Sequence, residues 1–224
     1  PVLHTLPNAP HASREPLQLG AEIYGHAGLE ADIEILQLAL DCLKAARLQA
    51  PSVDLADASL VKSLLSAVPQ SARQMAHLYA ALAAKDGPEI RLLTRDMPVA
   101  VREGLLALVQ LYGDETVLFE AERVLKPNPG MNNALQRLQH IARHLAPVKM
   151  TFDLADLRGY DYYTGARFAI YAPNCSGALA RGGRYDEVGA VFGRNRPAAG
   201  FSLDLKTLVA SVSTRPLQEA IRAP

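Results

Sequence analysis

The pattern of the chain changes twice, and this limits the folds open to it. Strand-like alternation opens the sequence, helical three- and four-residue spacing takes over from Ser71 to Leu145, and alternation returns after Pro147. The middle stretch runs through "ARQMAHLYAALAAKD", "PVAVREGLLALVQLYG" and "MNNALQRLQHIARHLA", punctuated by Gly87-Pro88, Pro98, Gly113 and "KPNPG". Such punctuation ends helices and does not pair strands, so three helices or more are expected. A sheet built from the two flanking stretches must be completed by strands distant in sequence. That is an α+β layout and not a regular βαβ repeat. The expected organisation is a first part of the core over residues 1–68, a helical insertion over 69–146 and a second part of the core over 147–224.

The flanking elements can be placed individually. Leu17, Leu19, Ala21 and Ile23 alternate with Gln18, Gly20, Glu22 and Tyr24, which predicts a strand with one apolar face. From Leu29 to Leu48, Ile33, Leu36, Leu40 and Leu43 recur at helical spacing while most charges fall elsewhere, and Pro51 follows the end. "SVDLAD", residues 52–57, predicts a strand, and Leu60 to Val68 a helix. After the helical stretch, "KMTFDLAD", "RFAIYA", "SGALARGGRYD" and "AAGFSLDL" supply strand patterns broken by glycines.

Composition removes several function classes. Apolar residues make up 49% of the 224, enough for a sizeable core. Lysine plus arginine equal aspartate plus glutamate at 23 each, so no excess positive field is available for nucleic acid or anionic lipid. Cys42 and Cys175 have no disulfide-framework or zinc spacing, which fits a reducing cytoplasm. No apolar run reaches the roughly 18 residues of a membrane span, and no signal-peptide pattern opens the chain. Pro1 and an early strand instead lead us to expect further sequence upstream.

Several residues are candidates for chemistry. Gly182 and Gly183 remove two Cβ atoms between Arg181 and Arg184, allowing backbone to approach a ligand between two guanidinium forks. The same residues also fit a β-bulge with solvated arginines. Gln18 and Glu22 stand on one strand face, either in a shared pocket or open to water. His140 and His144 have the spacing of a helical metal pair, but no third ligand accompanies them, and no metal is expected. Neither a phosphate-loop nor a dinucleotide fingerprint is present, and no cofactor is expected.

Three segments, in order, resemble the histidyl-tRNA synthetase branch of the class II synthetases. "REPLQLGAEIYG" resembles the end of motif 2, "LRGYDYYTG" is similar to the histidine-specific "RGLDYY" signature, and "GGRYDEVGAVFGRNRPAAGFSLDL" resembles the approach to motif 3. The resemblance covers Pro1 to Leu208 apart from the helical stretch, and it implies an antiparallel sheet flanked by helices. It also implies a histidine pocket formed by Gln18, Glu22, Arg158, Tyr162 and Tyr163, with Gly182 and Gly183 beside it. Two positions depart from the pattern. His4 stands where an ATP-binding arginine is expected, and Lys206 and Thr207 replace the Glu-Arg of motif 3. A lysine or a neutral side chain does not reproduce the planar guanidinium contacts these arginines make.

A synthetase-like body with those changes, and with no anticodon-binding domain after motif 3, resembles the regulatory subunits of ATP phosphoribosyltransferase. The resemblance implies a non-catalytic cytoplasmic protein of histidine biosynthesis, dimeric, partnered by a short-form catalytic subunit and involved in feedback by histidine. Motif 1, expected upstream, is not in the sequence. Two other readings stay open: a histidine-activating synthetase fragment or related ligase, and a pseudo-synthetase nucleic-acid sensor, which the even charge balance disfavours.

Overall fold

The computed structural model of the chain describes residues 15–212, apart from 67, 70, 127, 160, 161, 174 and 176 and the side chains of 72, 191 and 192. The described strands form one seven-stranded sheet in the order β1-β7-β6-β5-β2-β4-β3. They are β1 (Gln18–Tyr24), β2 (Ser52–Asp57), β3 (Tyr112–Gly113), β4 (Lys149–Asp153), β5 (Ala166–Tyr171), β6 (Ala180–Arg184) and β7 (Ala198–Asp204). All neighbours are antiparallel except β2 and β4, which run parallel with Ser52 opposite Lys149. The antiparallel sheet expected from the resemblance is present, with one parallel pair within it. The helical stretch returns the chain to the same end of the sheet, and only a long crossover can join parallel neighbours.

Helix α1 (Leu29–Ala45) forms where the spacing predicts it and buries Ile33, Ile35, Leu36, Ala39, Leu40 and Leu43. Glu30 and Asp32 lie in its first turn and Lys44 in its last, each favourable to the helix dipole. Between β2 and β4 run α2 (Ser59–Leu65), α3 (Ala72–Ala83), α4 (Gly87–Leu93), α5 (Val99–Leu108), α6 (Thr116–Val124) and α7 (Pro129–His144), and α8 (Leu205–Val212) follows β7. Local chemistry sets their starts. Ser71 and Gln74 form a capping box on α3, Asp86 caps α4 ahead of Pro88, and Asn128 accepts from Met131 N at 2.9 Å ahead of Pro129.

Helix α7 buries Met131, Ala134, Leu135, Leu138, Ile141 and Ala142, a stripe at helical spacing. It packs on β2 and β5 beside α1, which covers β6 and β7, so one sheet face is backed by both helices. Each fully buried aliphatic side chain in this layer contributes about 1.5–3 kcal/mol. A buried ion pair ties the helical stretch to the sheet: Arg137 of α7 donates to Asp57 Oδ2 at 2.9 and 2.8 Å, and Asp57 is fully buried. Within that stretch, β3 pairs its two residues with Phe152 and Asp153 on the outer edge of β4. No alternation marks it in the sequence, because so short a strand is fixed by the edge it meets.

The apolar face expected for β1 is only half covered. Ala21 and Ile23 pack on the core, whereas Leu17 and Leu19 are 40% and 44% exposed. Among the described residues β1 is an outer strand with β7 as its one neighbour. No described helix is long and apolar enough to cross a membrane.

Candidate functional site

The sheet face opposite α1 and α7 carries a cavity of about 390 Å³, bounded by Gln18 and Glu22 of β1, Arg181 of β6, and Tyr162, Tyr163 and Tyr185. Successive strand side chains point to opposite faces, so Gln18 and Glu22, four apart, share this side while Ala21 and Ile23 meet the core. Opposite Glu22 in the β1–β7 register is Gly200. A Cβ at Gly200 would stand 2.8 Å from both Glu22 Cγ and Tyr185 Oη, so glycine makes room for both groups.

Hydrogen bonds fix the tyrosine turn against the end of β6. Thr164 N donates to the Arg184 carbonyl at 2.8 Å, Asp186 N to Thr164 Oγ1 at 3.0 Å, and Ala198 N to Asp186 Oδ1 at 2.9 Å. Lys62 Nζ donates to the Tyr163 carbonyl at 3.3 Å. Behind the sheet, the buried Arg184 forks onto the buried Asp32 of α1, Nη2 to Oδ2 at 2.6 Å, and donates to the carbonyls of His26 and Gly28.

The chemistry of the cavity centres on Glu22, a carboxylate among phenols, with Asp204 also on its border. The Tyr24 hydroxyl donates to Glu22 Oε2. Tyr162 stacks on Tyr185 at 4.7 Å between centroids and meets Tyr163 edge-on at 5.2 Å. Burial pushes the hydroxyls of Tyr162 and Tyr185 above the ordinary phenol range, followed by the Glu22 charge for Tyr162 and by a hydrogen bond to Glu22 for Tyr185. For Tyr24 the hydrogen bond to Glu22 is the main cause. All three remain neutral donors around an acceptor-only group. That arrangement suits a ligand bringing its own N–H donors to Glu22. Tyr185 Oη is buried beside Glu22, Tyr24 and Tyr162.

Two further cavities adjoin this one. The first, about 490 Å³, lies past Glu22 and Tyr24 against Arg194 and Arg196. The second, about 470 Å³, lies beyond Tyr163 and is bounded by Arg158, Arg167 and Arg181.

The candidates read from the sequence thus separate. Gln18, Glu22, Tyr162, Tyr163 and Gly182 border the central cavity. Gly182 does so with its backbone, since a Cβ there would point at the Phe168 ring, 2.5 Å from Cζ. Gly183 does not border it: with φ of 152° it lies against Arg167, and a Cβ would be 2.5 Å from the Ala166 carbonyl oxygen. Arg158 lies in the neighbouring cavity, forked on Asp156 with Nη2 at 2.5 Å from Oδ2 and donating to Tyr171 Oη at 3.2 Å. The two guanidinium forks beside the glycines face apart, Arg181 into the cavity and Arg184 into the core. Lys206 Nζ donates to the Glu15 carbonyl, and Thr207 Oγ1 donates to Asp204 Oδ2 at 3.2 Å; neither side chain borders the cavity. His4 is outside the described residues. His140 and His144 are exposed on α7, and the described residues contain no metal-binding group of three.

Tyr185 and Arg167 were not legible as site residues. Tyr185 follows directly on the "GGR" whose glycines drew attention, but only the β6–β7 register brings its ring onto Tyr162.

The open-faced sheet, backed by two helices and carrying its pocket where the motif 2-like strand meets the motif 3-like strand, defines the catalytic-core fold of a class II aminoacyl-tRNA synthetase. More particularly, the chain belongs to the histidyl-tRNA synthetase family, whose sequence pattern matches residues 1–208. Over all 224 residues it is 65% identical to the ATP phosphoribosyltransferase regulatory subunit of Albidiferax ferrireducens, and it spans 59% of that relative's length. A crystal structure described as an ATP phosphoribosyltransferase regulatory subunit/histidyl-tRNA synthetase from Bacillus halodurans superposes with a TM-score of 0.74 at 27% identity, over 87% of this chain and 53% of that one. A chain of the ATP phosphoribosyl transferase (HisG:HisZ) complex from Thermotoga maritima shares the fold, with a TM-score of 0.65 at 20% identity over 85% of this chain and 66% of that one.

Proposed function

We propose that this chain is the synthetase-like part of an ATP phosphoribosyltransferase regulatory subunit. It would act in the cytoplasm without catalysis of its own, dimerise, and assemble with a short-form catalytic subunit at the first step of histidine biosynthesis. The observation that carries the reading is the 65% identity, over the whole chain, to a relative of that name. The central cavity supports it. Glu22 accepts from the imidazole N–H of histidine, Gln18 supplies an amide, and the stacked pair of Tyr162 and Tyr185 forms one wall beside the ring. Arg181 is the cation that meets the ligand carboxylate, because Arg158 lies beyond Tyr163. Lys206 and Thr207, engaged with Glu15 and Asp204, supply no guanidinium for a nucleotide, in keeping with a role other than amino-acid activation. Histidine then regulates by favouring one assembly state over another, a coupling of typically about 1–3 kcal/mol.

Calorimetric titration with histidine, using Glu22→Ala as the control, tests the pocket. We expect one saturable site that the substitution removes, and no heat down to about millimolar affinity would end the histidine reading. Mixing with a short-form catalytic subunit tests the assembly: the mass should rise to a hetero-oligomer and phosphoribosyl transfer should change.

A further inference from the structure

We propose that the cavity beyond Tyr163 is a binding site for a phosphoryl dianion, held by Arg158, Arg167 and Arg181. Arg167 of β5 and Arg181 of β6 are diagonal neighbours on one sheet face, since Arg167 pairs with Gly183 and Arg181 with Ala169. At that spacing two long side chains meet. Arg158 reaches the same face, donating to Tyr171 Oη from the other side. Three guanidiniums therefore border a cavity of about 470 Å³.

Among the described residues one carboxylate pairs with them. Asp156 forks with Arg158 and lies 2.5 Å from Arg167 Nη1. Arg181 has no hydrogen bond or ion pair among the described residues, so Asp156 is shared by Arg158 and Arg167 and leaves Arg181 open. Arg167 is the telling residue. It is 3% exposed, its Nη1 lies 2.5 Å from Asp156 Oδ2, and its Nε has no hydrogen-bond partner among the described residues. Asp156 balances its charge, but a buried guanidinium N–H without an acceptor is costly unless a ligand supplies one. A phosphoryl group carries about −1.5 to −2 charge near neutral pH and offers three acceptor oxygens, which matches the excess charge and the three forks. A carboxylate supplies half that charge. The site shares Arg181 and Tyr163 with the central cavity but not Glu22 and Gln18, so a change at Glu22 tells the two readings apart.

The test is calorimetry on the purified protein with inorganic phosphate, pyrophosphate, ribose 5-phosphate and, as the carboxylate arm, acetate. We expect one site for at least one phosphoryl probe, with the tightest of the three identifying the source of the group. Arg181→Gln, which removes an unpartnered and exposed side chain, should weaken that binding about tenfold or more, and adding Arg158→Gln should abolish it. Arg194→Gln, in the other cavity, should leave it unchanged. Thermal melts by circular dichroism establish that each variant is folded. The proposal is overturned if no phosphoryl probe binds, if acetate binds as well, or if Arg194→Gln costs as much as Arg181→Gln. Phosphate binding that persists in Glu22→Ala, where histidine binding is lost, separates the two sites.

Discussion

Arg184 of β6 grips Asp32 of α1 through Nε at 3.0 Å and Nη2 at 2.6 Å, with both side chains buried. The same guanidinium holds the carbonyls of His26 and Gly28, so one residue joins the glycine strand, the start of α1 and the turn after β1. Its own carbonyl accepts from Thr164 N, next to the tyrosines. The pair therefore sets the distance between the back of the sheet and the cavity on its front.

Arg184→Met should cost about 3–5 kcal/mol of stability, because it leaves a buried carboxylate without its partner. The double variant Arg184→Met with Asp32→Leu should recover a large part of that loss. Urea unfolding of the two variants checks this. A double variant no more stable than the single one would show that the hydrogen bonds to His26 and Gly28 matter more than the charge pair.

Acid should expose the second ion cluster. Burial opposes the charged form of Asp156, but the hydrogen bond from Arg158 and the charge of Arg167 outweigh it and hold the carboxyl at about 2. A carboxyl lowered in the folded state binds its proton more readily when unfolded. Its contribution, about 2 kcal/mol from the size of the shift, is thus complete above the unfolded value near 4 and fades as pH falls towards 2. Asp156→Asn should flatten the stability curve across that window, as followed by denaturant midpoints at successive pH values. An unchanged slope would mean that Asp156 does not carry the acid response.

Gly200→Ala should block the central cavity, since the added methyl would lie 2.8 Å from Glu22 Cγ and from Tyr185 Oη. We expect histidine affinity to fall by about tenfold or more, with a stability loss of about 1–3 kcal/mol from overpacking. Gly177→Ala is the control, because a Cβ there meets nothing within 4 Å. Equal histidine affinity in the two variants would place the ligand elsewhere.

Histidine-dependent ATP–pyrophosphate exchange by the full-length protein should stay at background. Turnover would overturn the non-catalytic reading and restore the synthetase or ligase alternative.

Periodicity made much of this fold legible. The bounds of β2 are the residues the alternation marks, and α1 begins at the predicted Leu29. In the site, the family-like strings bring Gln18, Glu22, Tyr162 and Tyr163 to one cavity. What escaped the sequence depends on pairing between distant segments. Alternation along a strand does not name its neighbour, so the parallel pairing of β2 with β4 was hidden, as was the diagonal of Arg167 and Arg181. The direction of Arg158 was also hidden. It turns on a competing local carboxylate, Asp156, two residues earlier in the chain.

The register of β1 with β7 has a consequence for how the protein comes into being. Gln18 is opposite Asp204 and Glu22 opposite Gly200, so the two halves of the pocket lie near opposite ends of the described chain. On a ribosome, β1 emerges before its described neighbour β7, with every other described strand made between them. Pairings so distant in sequence form slowly, because the loop entropy is lost before the contact is gained. The recognition surface therefore closes only once β7 is made, and a nascent chain halted before β7 has Gln18 and Glu22 on a strand without its described partner.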